Sequence, residues 1–442
     1  MTNSCALTTM LEQNGMTPQR VTPDAERVRF VRLGDQSGPV NVMVGANSLL
    51  DLDELERFSG RQLLAASKPD IDAISTLSDP ATILLADRRL FEDRVLVLTD
   101  DENNAEIGIL GTQLHTLVMR HDLCSGSFGA PLDDIKRRCN DADLDIDNIN
   151  TAVSRVTTRR MKQRIEDTLD FPPLPEIANR IVKIGSNSNS TVSDLARVVE
   201  LDPSLSAQVV SWASSPYYAA PGKVSSIDDA ILRVLGFDLV MNLALGLAIG
   251  KAMKMPKDGP NGYRSFWVQA VDGAAVMESL IKSMPVNQRP QLGTGYLVGL
   301  LHNFGLLVLS ELMRPQLKRI FEFVQANSHC GHPAVERHLL GATREQMAAL
   351  LMRFWNLPEE VCAAIRHQHS PDYNGEHVDM ARLLFVTTRL LGTAGVGSSP
   401  REEIPAEICE SLGIELSAAH EIGQRVLNPD GELKSIAKSL AA

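Results

Sequence analysis

Three histidines in the C-terminal half of the chain are candidates for metal-ligand chemistry. His302 follows two leucines, and His367 and His369 are separated by one residue. Three imidazoles can hold zinc or another transition metal, which would generate a hydroxide for hydrolysis. On one helix, however, side chains two residues apart point about 200° away from each other. The spacing therefore favours histidines that are hydrogen-bonded in a helical core, and we predict no metal site.

A second histidine pair, His329 and His332, also has the short spacing of a ligand pair. It lies beside Gly331 and Pro333, which are typical of a turn, and no second half of a ligand set accompanies it. Structural zinc sites combine two such halves. We therefore interpret this pair as structural.

The elements that would position the first three histidines are helical. From residue 151 onward, apolar residues recur at helical spacing. Residues 27–118 differ, because short β-branched runs alternate with one capped helical stretch, a pattern typical of a mixed α/β fold. The predicted strands are 28–33, 40–44, 83–86 and 94–98, and the predicted helix is 51–58 with Asp51 as its cap.

This change in texture divides the chain into four regions. They are an N-terminal extension (1–26), an α/β domain (27–120), a charged linker (121–150) and a helical domain (151–442). The linker assignment depends on glycines, a basic cluster and an acidic run that includes Asp145, all typical of a solvated connection. The predicted fold class is multidomain, with a small mixed-sheet α/β domain followed by an all-helical domain.

Six ordered motifs of the helical region resemble the HDOD domain of bacterial signalling proteins, which is similar to the HD-superfamily phosphohydrolases. They are Phe171-Pro-Pro-Leu-Pro175, Val199-Glu-Leu-Asp-Pro203, Ser225-Ser-Ile-Asp-Asp-Ala230, Arg233-Val-Leu-Gly236, 300–309 and 353–369. Several motifs in the family's order are a more specific signal than any single pattern. The resemblance implies an all-helical fold and a role in signal transduction.

The catalytic HD enzymes bind one or two metals through several His and Asp side chains, so this chain can be compared with them position by position. The resemblance implies ligand positions at Gln269, His302, Asn303, Arg344, His367, His369 and Thr388. The amide of Asn303 lacks the charge of the expected aspartate, and Arg344 is a permanent cation that would repel a metal. We therefore expect a degenerate site without metal, cofactor or hydrolytic activity.

Two arginines could give the vacated site another use. If Arg233 and Arg344 lie close to it, they could receive an anionic ligand such as a nucleotide phosphate.

The N-terminal α/β region resembles the YbaK or prolyl-tRNA-editing family of aminoacyl-tRNA deacylases. The matching stretches are 40–45, 49–55, 60–67, 86–90 and 94–98. Those deacylases depend on a lysine at the end of an early strand. In the comparable stretch here, residues 27–32, the basic residues are all arginines. They also use a glycine-containing substrate loop, and no glycine occurs between Arg61 and Glu106. We therefore expect a catalytically silent or sensory relative.

Composition restricts the partners and the location. The net charge of −12 argues against general nucleic-acid binding, which needs clustered basic residues. The longest apolar run, 239–249, is about half of what a bilayer requires, and residues 1–19 lack the pattern of a signal peptide. The six cysteines are scattered, which is typical of reduced thiols. We expect a cytoplasmic protein without membrane contact.

The predicted function is regulatory. The helical domain would bind a protein partner in a signalling pathway or a small anionic ligand, and it would not turn over a substrate. One alternative is a divergent metal-dependent phosphohydrolase that acts on a nucleotide through His302 and either His367 or His369. The other is aminoacyl-tRNA deacylation by the N-terminal domain.

Overall fold

The computed structural model describes residues 6–79, 82–100, 105–137, 144–156, 173–218, 220, 222–250, 266–313, 316–397, 399 and 402–428. The chain forms two compact units, and each of them combines two segments of sequence. The α/β unit consists of Met1–Asn140 and Lys318–Leu339, and the helical unit consists of Asp141–Leu317 and Leu340–Ala442. The chain therefore passes between the units three times.

The α/β unit has nine described strands, and seven of them form one mixed sheet. The strands are β1 Glu26–Asp35, β2 Gly38–Gly45, β3 Ser48–Leu50, β4 Leu64–Ile71, β5 Leu84–Asp87, β6 Val95–Asp100, β7 Ala105–Leu110, β8 Leu123–Gly126 and β9 Gly129–Pro131. The sheet order is β7-β6-β1-β2-β5-β8, β4 also pairs with β1, and β3 and β9 form a separate pair. β1 and β2 are antiparallel, with Val31 opposite Val42. The predicted strands and the predicted mixed α/β fold are confirmed.

Five helices of this unit follow from local sequence. They are α1 Ala6–Gln13, α2 Leu52–Ser59, α3 Ala73–Ser78, α4 Gly111–Val118 and α5 Leu132–Arg137. The Asp51 side chain accepts the backbone N–H groups of Asp53 and Glu54, so it caps α2 as predicted. Gly60 adopts a left-handed conformation with φ 66° and ends the same helix.

Both faces of the sheet are buried. Phe30 and Met43 lie on the face that packs with buried residues of α1, α3 and α4. Because side chains alternate along a strand, Val31 and Val42 point to the opposite face, and they are 0% exposed as well. Two further helices contact the unit, α15 Leu317–Ala326 and α16 Gly331–Leu339. α15 has four buried residues, Leu317, Ile320, Phe323 and Ala326.

Three of the predicted regions have the wrong bounds. The helical domain 151–442 is interrupted, because Lys318–Leu339 belongs to the α/β unit. The region 1–26 is not a mere extension, because Leu7 and Leu11 of α1 are 0% exposed in the core of the α/β unit. The predicted linker 121–150 contains ordered elements: β8 pairs with β5, and α6 Asp145–Val156 belongs to the helical unit. The charged residues and glycines of this region are typical of a solvated linker, but composition alone does not indicate pairing with distant strands.

The helical unit contains the predicted succession of helices. From residue 176 to residue 283 these are α7 Glu176–Gly185, α8 Val192–Glu200, α9 Pro203–Ala213, α10 Ile227–Asp229 with the π-helical turn Ala230–Leu235, α11 Phe237–Gly250 and α12 Phe266–Ser283. Thereafter come α13 Leu292–Leu301, α14 Phe304–Leu312, α17 Arg344–Phe354, α18 Glu359–His367, α19 Val378–Thr393, α20 Ala406–Ser411 and α21 Leu416–Val426. Phe171 and Pro172 of the first motif lie outside the described residues.

One segment of this unit has the length and hydropathy of a membrane span. Leu292–Leu312 has a mean hydropathy of 1.5, and 78% of it is buried inside the protein. It comprises α13 and α14, so its apolar character also fits a core position in the helical unit.

Four of the six cysteines lie in the described part of the chain, and they are free thiols: Cys124, Cys330, Cys362 and Cys409. Cys5 and Cys139 lie outside the described residues.

Candidate functional site

His302 lies at the break between α13 and α14, in the centre of the helical unit. Its Nδ1 is 2.7 Å from the carbonyl oxygen of Gly299, so Nδ1 carries the proton and donates it. Burial, with a smaller contribution from the nearby His369, lowers the pKa of His302 to about 4, although the hydrogen bond to Gly299 opposes this effect. The ring is therefore neutral at pH 7, with the Nε2 lone pair available.

Two glycines allow this position to form where α12 meets α13. A Cβ atom on Gly273 of α12 would stand 2.6 Å from Nδ1 of His302 and 2.7 Å from the Gly299 carbonyl oxygen. A Cβ atom on Gly299 would stand 2.6 to 2.9 Å from backbone atoms of Gly273 and Ala274. The backbones therefore approach closely at the residues that hold the His302 ring.

Asn303 and Gln269 contact each other directly. The Asn303 amide Nδ2 donates to Oε1 of Gln269 over 2.6 Å, and both side chains are buried. Sequence comparison assigned both positions to lost metal ligands, and the structure places the two amides together. A pair of neutral amides can satisfy itself without an ion.

His369 contacts an arginine that the sequence comparison did not single out. Nη1 of Arg389, on α19, is 3.0 Å from Nδ1 of His369. A guanidinium can only donate, so Nδ1 of His369 accepts and its lone pair is used. The same Nη1 also donates to the carbonyl oxygen of Gln368 and to the hydroxyl of Thr388. Thr388 therefore supports the arginine at the position where the family comparison expects an aspartate.

The Arg389 side chain is only 2% exposed, and it is held on several sides. Nη2 donates to Oε2 of Glu402 over 2.7 Å. The guanidinium carbon lies 3.6 Å from the ring centroid of Phe385. Burial lowers the pKa of Arg389, while the Glu402 carboxylate opposes this effect. A buried guanidinium with these partners forms a fixed positive charge beside His369.

A carboxylate from outside the family motifs also lies beside His369. Oε1 of Glu345 is 3.7 Å from Nε2 of His369, and both side chains are largely buried. One expectation about these histidines is wrong: His369 is not on the helix of His367, because α18 ends at His367. The helical angle between the two histidines therefore does not apply.

His367 lies in another environment. Its ring stacks on Tyr373 with a centroid distance of 3.8 Å and an interplanar angle of 9°. Burial, with a smaller contribution from the Arg366 charge, lowers the pKa of His367 to about 4. His367 and His369 thus have different neighbours.

The two candidate anion-binding arginines contact different elements. Arg344 begins α17 and is 2% exposed. Its backbone carbonyl oxygen lies so close to Gly305 that a Cβ there would stand 2.6 Å away. Arg233, in the π-helical turn, forms an ion pair with Asp229 at 3.2 Å. An anion site formed jointly by the two arginines stays a prediction.

Sequence reasoning also missed the buried ion pair behind His367. Arg366 Nη2 donates to Oδ1 of Asp145 over 2.9 Å, and Gln346 donates to the same oxygen over 2.6 Å. The side chains of Asp145 and Arg366 are 7% and 3% exposed. The acidic residue that we assigned to a solvated linker thus attaches α6 to α17 and α18.

The lowered pKa of His302 gives a prediction for stability. The unfolded histidine, with its ordinary pKa near 6.5, takes up a proton before the folded one, whose pKa is about 4. The neutral His302 therefore contributes its full stabilisation to the folded state above about pH 6.5. This contribution to the free energy of unfolding is lost as the pH falls toward 4, and the loss is about 2 kcal/mol at pH 5. The free energy of unfolding, measured with urea, should differ less between pH 7 and pH 5 for His302→Gln than for the wild type. His420→Gln, at an exposed position, should keep the wild-type difference.

The comparisons with known proteins agree with this architecture. The HDOD domain model matches residues 171–371. A "Putative signal transduction protein" from Marinobacter aquaeolei VT8 has a crystal structure with a TM-score of 0.86 and 36% sequence identity, and the alignment covers 99% of both chains. The chain therefore belongs to the HDOD domain family.

Two further relatives are more distant. A "Putative phosphohydrolase" from Shewanella amazonensis SB2B is 21% identical with a TM-score of 0.50, covering 64% of this chain and 99% of that one, and it shows the fold alone. An uncharacterized protein of Treponema pallidum (strain Nichols) is 23% identical over 263 residues, or 58% of this chain. The alignment spans about half (49%) of the length of that curated relative. The family match begins at residue 171, so the deacylase resemblance of 27–120 stays a prediction.

Proposed function

We propose that the helical unit is a non-catalytic regulatory module that binds a protein partner or a small anionic ligand. The observation that carries this proposal is the hydrogen bond from Arg389 to His369. A metal at this position would have to compete with a guanidinium for the Nδ1 lone pair. It would also meet the positive charge of that group at short range, which disfavours a divalent cation.

The neighbouring positions support the same proposal. Asn303 and Gln269 offer neutral amides, and these already bond to each other. Of the three retained histidines, His367 stacks on Tyr373 and His369 accepts from Arg389. Hydroxide generation at neutral pH needs a metal with a ligand set and an open position, which these contacts do not favour.

The first experiment measures the metal content of the purified full-length protein by elemental analysis. The same sample is assayed with phosphodiester and nucleotide substrates. We expect substoichiometric metal and no turnover, for wild type and His302→Ala alike. Stoichiometric metal that disappears in His302→Ala, together with turnover, would contradict the proposal.

A gain-of-function variant tests the role of Arg389. We expect Gln269→His with Asn303→Asp to bind zinc poorly, because Arg389 still uses Nδ1 of His369. Adding Arg389→Ala to these two changes should raise zinc affinity at least about tenfold, since both the competing donor and the repulsive charge are removed. Isothermal titration calorimetry with zinc measures the affinities of the double and triple variants. Equal affinity of the double and triple variants would show that Arg389 does not block the site.

A divergent phosphohydrolase is the second candidate, and two observations favour it. His302 keeps an Nε2 lone pair, and Glu345 provides a carboxylate 3.7 Å from His369. This candidate predicts that added manganese or zinc supports nucleotide hydrolysis and that Glu345→Gln abolishes it. If no metal supports turnover, the regulatory proposal stands, and capture of partners by the full-length protein becomes the next step.

A further inference from the structure

The α/β unit contains a surface that is occupied by a distant part of its own chain. The two-helix segment Lys318–Leu339 belongs to this unit, although it follows residues 1–140 by almost two hundred positions in sequence. Arg319 of α15 pairs with Asp53 and Glu56 of α2, and several further polar contacts lie at the turn that begins with Asn327, between α15 and α16.

Asn327 is 0% exposed and bonds to the backbone of β3 in the way a neighbouring strand would. Its Oδ1 accepts from the Leu50 N–H over 2.7 Å, and its Nδ2 donates to the Leu50 carbonyl oxygen over 3.0 Å. β3 also pairs with β9, and in that pair Leu50 stands opposite Gly129. The amide therefore satisfies both polar groups of a buried residue that would otherwise lack partners.

Other polar contacts surround this one. Arg29 of β1 bonds to Asp70 and also donates to the Ala326 carbonyl oxygen over 2.6 Å, where it satisfies the C-terminal end of α15. Ser328 donates to the other oxygen of Asp70. The Arg29 side chain is 8% exposed, whereas that of Asp70 is 50% exposed, so the buried part of this contact is the hydrogen bond from Arg29 to the Ala326 carbonyl oxygen.

Two histidines of the two-helix segment also contact the α/β unit. Nε2 of His329 lies 3.1 Å from the Ser48 carbonyl oxygen, and burial lowers the pKa of His329 to about 4. Nε2 of His338 lies 2.7 Å from the Asp51 carboxylate that caps α2. Residues 48–51 are thus contacted from Asn327, His329 and α16.

We propose that the α/β unit is a receptor for the two-helix segment, that Asn327 determines this recognition, and that the segment opens together with residues 48–59 as one cooperative module. The inference goes beyond the proposed function and does not depend on the state of the HD site. A protein that bound to this surface would have to displace the segment.

The test is hydrogen exchange of the full-length protein, read by mass spectrometry. In Asn327→Ala, the Leu50 N–H and carbonyl oxygen are buried without a partner. We therefore expect exchange in 48–59 and in 318–339 to accelerate together by about 10- to 100-fold. Gln325→Ala is the matched control, because that amide contacts Ala66 through an exposed bond of 3.4 Å. We expect less than about a threefold change there.

Wild-type protein provides a second measurement that does not depend on a variant that folds. Exchange at increasing sub-denaturing urea should give one opening free energy and one urea dependence for both segments, as for a single cooperative unit. Different values for the two segments would overturn the proposal. Acceleration of only one segment in Asn327→Ala, or the same response in both variants, would also overturn it.

Discussion

Asp145→Ala is expected to lower the free energy of unfolding of the helical unit by about 3–5 kcal/mol, because it leaves the guanidinium of Arg366 buried without its counterion. Both side chains are less than a tenth exposed, and Gln346 would also lose an acceptor. Urea unfolding followed by tryptophan fluorescence measures the change. All three tryptophans, Trp212, Trp267 and Trp355, lie in the helical unit.

The control for this experiment is an ion pair at the surface. Glu176 pairs with Arg180 on α7, and their side chains are 76% and 48% exposed. Glu176→Ala should therefore change stability by no more than about 1 kcal/mol. If Asp145→Ala is as mild as this control, the Asp145–Arg366 pair contributes nothing to attaching α6.

Gly299→Ala is expected to destabilise the helical unit by about 3 kcal/mol or more. The added Cβ would meet backbone atoms of Gly273 and Ala274 at less than 3 Å, and backbone cannot rotate away as a side chain can. The carbonyl oxygen that holds His302 would also shift. We expect a lower urea midpoint by tryptophan fluorescence and an altered His302 resonance in NMR spectra.

A second helical glycine separates this clash from the general effect of the substitution. Gly185, at the end of α7, has only the flexible thioether of Met241 nearby, 3.1 Å from a Cβ position. Gly185→Ala should be neutral or stabilising by up to about 1 kcal/mol, because alanine favours helix. Equal losses in both variants would show that the close approach at Gly299 is not what limits stability.

Local patterns predicted much of the fold. Alternating β-branched runs gave β1, β2, β5 and β6, and Asp51 caps its helix as its residue type suggests. The ordered motifs predicted the HDOD domain, which the family match confirms. These features depend on residues close in sequence, so periodicity and capping chemistry detect them.

The parts that sequence did not predict depend on distant residues. Asp145 resembled a solvated charge until Arg366, 221 positions away, gave it a buried partner. Arg389 directly follows Thr388, yet its contact with His369 requires the turn after α18 to bring the two together. The one local signal was an arginine within the otherwise apolar stretch of α19. The two-helix segment could not be assigned to the α/β unit, because its own pattern is that of any helix pair.

The composite α/β unit has a consequence for synthesis on the ribosome. Residues 1–140 emerge first, but the segment that supplies the partner of Leu50 is complete only at Leu339. At roughly 5–20 residues per second, the nascent α/β unit would wait about 10–40 s for it. During that interval the Leu50 backbone in β3 would lack the Asn327 amide that bonds to it, so a nascent chain arrested before residue 318 should bind chaperones more than one arrested after 339.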